Sequence, residues 1–375
     1  MSSKDSHQKY LDHLRELLWN IPDSEELLPL LKLRVTAEDA EILSKMPSAA
    51  NTPRQLARKL KIPIEELTPI LQQLARKGVI YHINENGKDK YSLIDFFSMA
   101  FRYTGWVESR NEGDWYKKIA PLLNRYYIEK FANEINSYPT QLMRAVPVNK
   151  TVEDERQIAP YEHIIEHVKQ YDNFAVSNCS CRLRHRTDPE FEKTSCKEEV
   201  ETCLHWGDLG KYIVENNMGR GLTKDEALNL LEKCADAGLV HAFYNNLTDN
   251  DTVCNCCSDC CLYLEPIVKM PGLVPRGHNP SRYIRVWADE ENCIQCGLCA
   301  KRCPIDAIQF NKESKEISFT PERCLGCGVC VHKCPTNAII MVRREKDMEP
   351  DIPKDLTDWA MRMMKEREKS KNIAS

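Results

Sequence analysis

Between Ile64 and Leu74 the apolar positions Ile64, Leu67, Leu71 and Leu74 recur at helical spacing, and Gly78 supplies a left-handed stop. Just upstream, Thr52-Pro53-Arg54-Gln55 places Thr at an N-cap, Pro at the first helical position and Gln where its side chain can return a bond, which opens a helix to about Leu60. After Gly78 the period shortens to that of strands. Val79 to Ile83 and Lys90 to Leu93 flank Asn86-Gly87, a dipeptide suited to a two-residue hairpin turn. With a helix near Ala37 to Lys45, the region up to residue 94 reads as three short helices and a hairpin.

That order resembles a winged-helix domain. The following stretch, Asp95 to about Tyr171, reads as mainly helical, with Phe96, Phe97, Phe101, Trp106, Trp115, Tyr126 and Tyr127 as packing residues. Arg144 to Val148 and Phe174 to Ser177 read as short strands. Thr223-Lys-Asp-Glu226 opens a further helix that ends at Gly238. Cys234 falls on its apolar face with Ala227, Leu230 and Ala237, and so reads as a core residue. A charged tail from Arg343 to Ser375 carries Trp359, Met361 and Met364 on a helix, either as a docking element or as a solvated end. The expected architecture is α+β and multidomain. It comprises a winged-helix-like domain (1–94), a helical then Cys-rich domain (95–280), a domain built on a duplicated cysteine run (281–345) and a charged helical tail (346–375).

Composition narrows the class. Hydrophobic residues make up 42% and charged residues 29%, with only 14 Gly, which excludes a disordered or fibrous chain. No apolar run has the length of a membrane span and the opening residues lack a secretory apolar stretch, so a cytoplasmic location is expected. The net charge of -4 selects no ligand. From Thr36 to Leu93 nine Lys/Arg face seven Asp/Glu, Glu65 and Glu66 sit in the first turn of the would-be recognition helix, and Pro69 lies within it. This segment suits docking to protein better than binding nucleic acid, whose footprint is basic. No G-x-G-x-x-G or P-loop run occurs.

All 18 cysteines lie between Cys179 and Cys334. In a reducing compartment, thiols grouped this way point to metal ligation. Cys293-x2-Cys296-x2-Cys299-x3-Cys303-Pro304 is repeated 31 residues later as Cys324-x2-Cys327-x2-Cys330-x3-Cys334-Pro335. Both copies resemble the bacterial dicluster [4Fe-4S] ferredoxins. The resemblance implies that Cys293, Cys296, Cys299 and Cys334 hold one cluster while Cys303, Cys324, Cys327 and Cys330 hold the other. His332, inside the second copy, reads as a surface residue.

Ten cysteines precede this repeat. Setting Cys234 aside leaves Cys179, Cys181, Cys196, Cys203, Cys254, Cys256, Cys257, Cys260 and Cys261 as metal ligands. They suffice for one or two additional [4Fe-4S] clusters, with zinc as the alternative. One division groups Cys179, Cys181, Cys196 and Cys203 and leaves the other five for a second site, though mixed sets stay open. The second group reads as a helix with i, i+4 cysteine pairs, or as a loop that splays adjacent thiols apart. Arg182 and Arg184 can favour thiolates near the first pair. The chain as a whole resembles iron-sulfur proteins of anaerobes that join such segments and have no settled activity.

The reading that follows is an electron-transfer protein or oxidoreductase subunit. It would relay low-potential electrons between a redox protein donor and a partner oxidoreductase, as a component of such a system more than a stand-alone enzyme. The alternatives are an enzyme with a substrate-binding cluster in the middle domain, and a redox- or iron-responsive DNA-binding regulator.

Overall fold

A computed structural model of the protein describes residues 5–108, 113–136, 138–148, 152, 164–270, 272–273 and 281–374. The chain divides into two compact units. One comprises Met1–Glu134, Ala175–Ser195 and Asp208–Gly221, the other Ile135–Phe174, Cys196–Gly207 and Leu222–Ser375. The boundary expected at residue 280 lies outside the described residues.

The first unit begins with five helices, two more than the apolar pattern suggested: α1 (Ser6–Arg15), α2 (Leu27–Arg34), α3 (Ala37–Leu43), α4 (Pro53–Leu60) and α5 (Ile64–Arg76). Reciprocal capping bonds join Thr36 to Asp39 and Thr52 to Gln55, satisfying backbone donors that the first turns of α3 and α4 would otherwise leave open. Leu67, Leu71 and Leu74 of α5 are buried, while Glu65, Glu66 and Pro69 lie on its exposed face. A hairpin follows, β1 (Ile80–Glu85) paired antiparallel with β2 (Lys88–Leu93) through Asn86 and Gly87, both at positive φ.

Helices α6 (Thr104–Val107), α7 (Trp115–Tyr126) and α8 (Ala132–Asn136) surround an aromatic core. There Phe101 stacks on Phe131 at 5.4 Å between ring centroids, and Phe96 meets Tyr126 edge-on. The aromatics pack, as their helical spacing suggests. The unit is completed by β4 (Phe174–Asn178), α10 (Ser180–Thr187), α11 (Gly207–Glu215) and β6 (Arg220–Leu222). The Tyr212 hydroxyl lies within hydrogen-bonding distance of the carbonyls of Ala75 and Ile80, at 2.7 and 2.9 Å, which fixes α11 to the start of the hairpin.

In the second unit β3 (Met143–Ala145), β7 (Val240–Tyr244), β8 (Thr252–Cys256) and β5 (Glu201–Trp206) lie side by side in that order, each neighbouring pair antiparallel. Helices α9 (Ile164–Lys169) and α12 (Lys224–Ala237) cover them, burying Val168, Leu204, Trp206, Ala227 and Phe243 in one core. Thr223 and Glu226 form the anticipated capping box, and Gly238 ends α12 in the left-handed conformation. A short α13 (Glu265–Lys269) follows β8.

The duplicated cysteine segment contains β9 (Tyr283–Trp287), α14 (Leu298–Lys301), β10 (Ile308–Phe310), β11 (Ile317–Phe319), α15 (Val329–His332) and β12 (Ile339–Arg343). The sequence repeat is also a repeat of the backbone. Positive φ recurs at the same offset in Gln295 and Gly326, in Gly297 and Gly328, and in Asp306 and Asn337. Strand β9 pairs with β12, and β10 with β11.

The tail forms α16 (Leu356–Ala374). Its Trp359 is buried and donates from Nε1 to the Gln141 carbonyl at 2.9 Å, whereas Met361 and Met364 are exposed. Among the described residues, no helix is long and apolar enough to cross a membrane.

Candidate metal centres

Two equal hollows of about 340 Å³ lie within the duplicated segment. Cys293, Cys296 and Cys299 of the first copy line one, together with Cys334 of the second. Cys324, Cys327 and Cys330 of the second copy line the other, together with Cys303 of the first. The crossing follows from the chain path. The tight x2 loops curl three thiols around one hollow, and the short helix after them delivers the fourth to its neighbour.

The loops depend on glycine for steric reasons. Gly326 has φ +69, and a β-carbon there would stand 2.0 Å from the Tyr283 carbonyl oxygen; one at Gly297 would stand 2.4 Å from the Phe310 ring. Apolar side chains complete both hollows, among them Trp287, Ile317 and Ile339 around one and Ile305, Phe319 and Leu325 around the other.

Burial drives the Cys327 thiol up to about 12, and Cys330 and Cys303 are raised by the same cause. Crowded, dehydrated thiols of this kind become thiolates when a cation compensates them. Arg285 contributes fixed positive charge. It lines the second hollow, is 3% exposed, lies 4.1 Å from the Trp287 ring centroid and 4.8 Å from that of Phe319, and finds no hydrogen-bond acceptor for Nε or Nη2 among the described residues. A buried guanidinium with two nitrogens lacking acceptors among the described residues, beside the thiols of the second hollow, suits an anionic group there. The donor set, the cradle and the charge therefore fit iron-sulfur clusters.

The two copies differ in exposure. Cys296 is exposed and Ile294 is 62% exposed in the first loop. In the second, Ser281 receives Arg344 on its carbonyl at 3.0 Å and donates to the Leu325 and Gly326 carbonyls at 2.7 and 2.8 Å, and Arg344 also donates to the Cys324 carbonyl at 2.7 Å.

Of the two local structures considered from sequence, the helix does not form; a strand runs into a turn, across which adjacent cysteines splay apart as the loop reading has it. Cys254 and Cys256 sit two residues apart on strand β8, sharing a face, and the chain turns after Cys256. The β5–β8 register pairs Leu204 with Val253 and His205 with Thr252, so one step further Cys203 stands opposite Cys254. Bonds to the Cys254 and Cys261 side chains, with burial behind them, raise the Cys256 thiol well above its ordinary value. Cys203, Cys254, Cys256 and Cys261 thus converge. Cys256 and Cys261 also share an apolar core with Cys327, Leu325 and Val329, against which Cys254 and Cys303 pack.

A second group forms on the other side of the turn. The Cys257 and Cys260 sulfurs are 3.1 Å apart, and Cys196 and Asp259 place ligand atoms within 4.8 Å of Cys257. Cys234, read from sequence as core, packs with Cys196, Cys257 and Cys260. The face of α12 did predict its burial, but the same face delivers it to three other thiols.

Cys179 and Cys181 belong to the first unit. Cys179 precedes α10, and a bond to the Cys181 side chain, then burial, raise its thiol well above the ordinary value. Arg184 is 2% exposed and lies 5.0 Å from the Tyr127 ring centroid, with no hydrogen-bond partner for its guanidinium among the described residues. His205 Nδ1 meets the Thr252 hydroxyl at 3.0 Å. His332 departs from its expected surface position: its imidazole is covered, and Nε2 lies 2.7 Å from Asp236 Oδ1.

Arg302 fastens the end of α12 to the duplicated segment. It donates to the Ala235, Asp236 and Val329 carbonyls at 2.7, 3.0 and 3.0 Å. One peptide bond separates Ala235 from Cys234, and another separates Val329 from Cys330. Neither Arg285 nor Arg302 was singled out from sequence. The alternation of β9 signals that Arg285 faces inward with Tyr283, and Arg302 precedes Cys303 without any distinguishing pattern.

Residues 286–341 match the family model described as a 4Fe-4S dicluster domain. No curated protein and no solved structure matches the chain.

Proposed function

We propose that the protein is an iron-sulfur electron carrier or oxidoreductase subunit that passes low-potential electrons between a donor protein and a partner oxidoreductase. The observation that carries this reading is the pair of equal hollows, each ringed by four thiols drawn crosswise from the two cysteine runs. Bound there, [4Fe-4S] clusters would accept and release single electrons. Cys293, Cys296, Cys299 and Cys334 would hold one, and Cys303, Cys324, Cys327 and Cys330 the other.

The chain's own residues set the conditions. Apolar walls limit water, Arg285 offsets negative charge, and the glycine loops hold backbone close to the ligands. The thiol group of Cys203, Cys254, Cys256 and Cys261 is the candidate for a further cluster, supported by the core that Cys254, Cys256 and Cys261 share with Cys303 and Cys327. The exposed first loop suits exchange with a partner. The amino-terminal helices and hairpin are read as a winged-helix-like docking module, because the first turn of α5 presents Glu65 and Glu66 to solvent.

A second reading, an enzyme, is favoured by one feature. A hollow of about 800 Å³ is lined by Ile164, Leu228, Leu231, Glu232 and His241, and His241 Nδ1 is 2.7 Å from Oδ1 of Asn255, which lies between Cys254 and Cys256.

Iron and sulfide counting with electron paramagnetic resonance on Cys293→Ser and Cys324→Ser tests the main reading. Each variant should lose a different signal and keep the other. Loss of the same signal in both would overturn the assignment of Cys293 and Cys324 to separate clusters.

A further inference from the structure

The spacing of the thiols at the turn after β8 bears on what they can hold. A single tetrahedral ion bound about 2.3 Å from each sulfur holds its sulfurs about 3.8 Å apart. A cubane spreads its ligands further, because each thiolate binds a different iron at a different corner. Cys257 and Cys260 stand 3.1 Å apart, and Cys196 lies within 4.8 Å of Cys257, a range that brackets the single-ion value.

Cys257-Ser-Asp-Cys260 also has the two-residue spacing of a metal knuckle, in which one turn presents two thiolates to one ion. Cys196 and Cys234 arrive from separate elements. All four cysteines are buried and packed together with Leu239, and Leu230 lies against them.

We propose that Cys196, Cys234, Cys257 and Cys260 form a closed site for one thiophilic divalent ion of the zinc class. This rests on the reading of the middle cysteines as metal ligands, and it separates them into an ion site and the cluster candidate at Cys203, Cys254, Cys256 and Cys261. Four sulfurs complete a tetrahedron, so no position is left for substrate and the role is structural. The ion would pin the last turn of α12 to the turn after β8. Asp259, half-buried, lies within 4.8 Å of both Cys196 and Cys257 and is the rival of Cys234 for the fourth position.

The test uses the full chain, purified anaerobically, with metal and sulfide analysis and with cobalt(II) as a spectroscopic substitute for zinc. One zinc per chain is expected. Cobalt should give the intense visible bands of a tetrahedral thiolate site. Cys257→Ser and Cys234→Ser should each weaken cobalt binding at least tenfold and alter those bands while iron and acid-labile sulfide stay constant. Asp259→Asn should leave the bands unchanged. Loss of about four irons and four sulfides in Cys257→Ser would overturn the proposal in favour of a cubane. Bands that change in Asp259→Asn but not in Cys234→Ser would overturn the four-thiolate set. Cys203→Ser keeps the two readings apart: if it loses no iron, the additional cluster falls while the ion site stands.

Discussion

The duplicated segment and the cysteines before it use the same side chain in opposite ways. In the duplicated segment, spacing alone encodes geometry, because each x2 loop is a local curl and the short helix after it has a fixed reach. In the middle region the thiols come from a strand, the strand beside it, a helix end and a turn, so tertiary packing brings them together. Adjacent cysteines diverge there: Cys256 joins the strand group while Cys257 joins the group at the turn. A repeat can therefore be read as a site, whereas an unrepeated cluster of cysteines identifies metal chemistry without giving its partition.

That contrast can be broken most forcefully at Gly326. Its counterpart in the first copy is Gln295, a residue with a β-carbon at the same positive φ. Gly326→Ala combines left-handed strain with overlap on Tyr283 and should cost about 3 kcal/mol, with loss of the cluster signal assigned to Cys303, Cys324, Cys327 and Cys330. Gln295→Ala should change little. Chemical denaturation and iron content measured on both variants check this, and equal effects would mean that the copies are interchangeable.

A second test sharpens the electrostatic side. Arg285→Gln removes a buried positive charge that lowers the Cys299 and Cys330 thiols against the burial that raises them. It should shift the ferredoxin-type reduction potentials negatively, on the order of tens of millivolts, with iron content unchanged. Redox titration followed by paramagnetic resonance checks it. The cluster candidate at Cys203 should respond less.

A third test concerns the middle strands. Burial depresses His241 from 6.5 to about 4, helped by His332 and opposed by the Asn255 bond and Glu232. Between those values the unfolded chain binds a proton that the folded chain refuses. Stability should therefore fall as pH drops from about 6.5 towards 4, by at most about 1.4 kcal/mol per pH unit, and His241→Gln should flatten that slope. Denaturation midpoints across this interval provide the measurement.

Much of the local structure was legible. Thr52, Thr223, Asn86-Gly87 and the leucines of α5 act through bonds or periods that span a few residues, and the elements they announce are present at those places. Helices α1 and α2 were not anticipated. The second has a strongly apolar sequence with almost no preferred face, so periodicity offers little to detect. The candidate site was legible where its cysteines lie within the duplicated segment. It was not at Cys234, whose apolar helix face is equally compatible with a hydrophobic core and with a buried thiol group. Nor could a linear pattern show that Arg302 would reach carbonyls on α12, since the partner lies more than sixty positions away in the chain.

Unequal covering of two otherwise matching loops also sets an order of damage. Oxidants reach sulfur where it is accessible, and Cys296 is the exposed cysteine while Cys327 and Cys330 are enclosed. Air should therefore attack the hollow that includes Cys296 first, leaving an intermediate with its neighbour still intact. A preparation handled briefly in oxygen would then be a mixture of full and half-dismantled molecules, each retaining the second loop with Arg344 across its back.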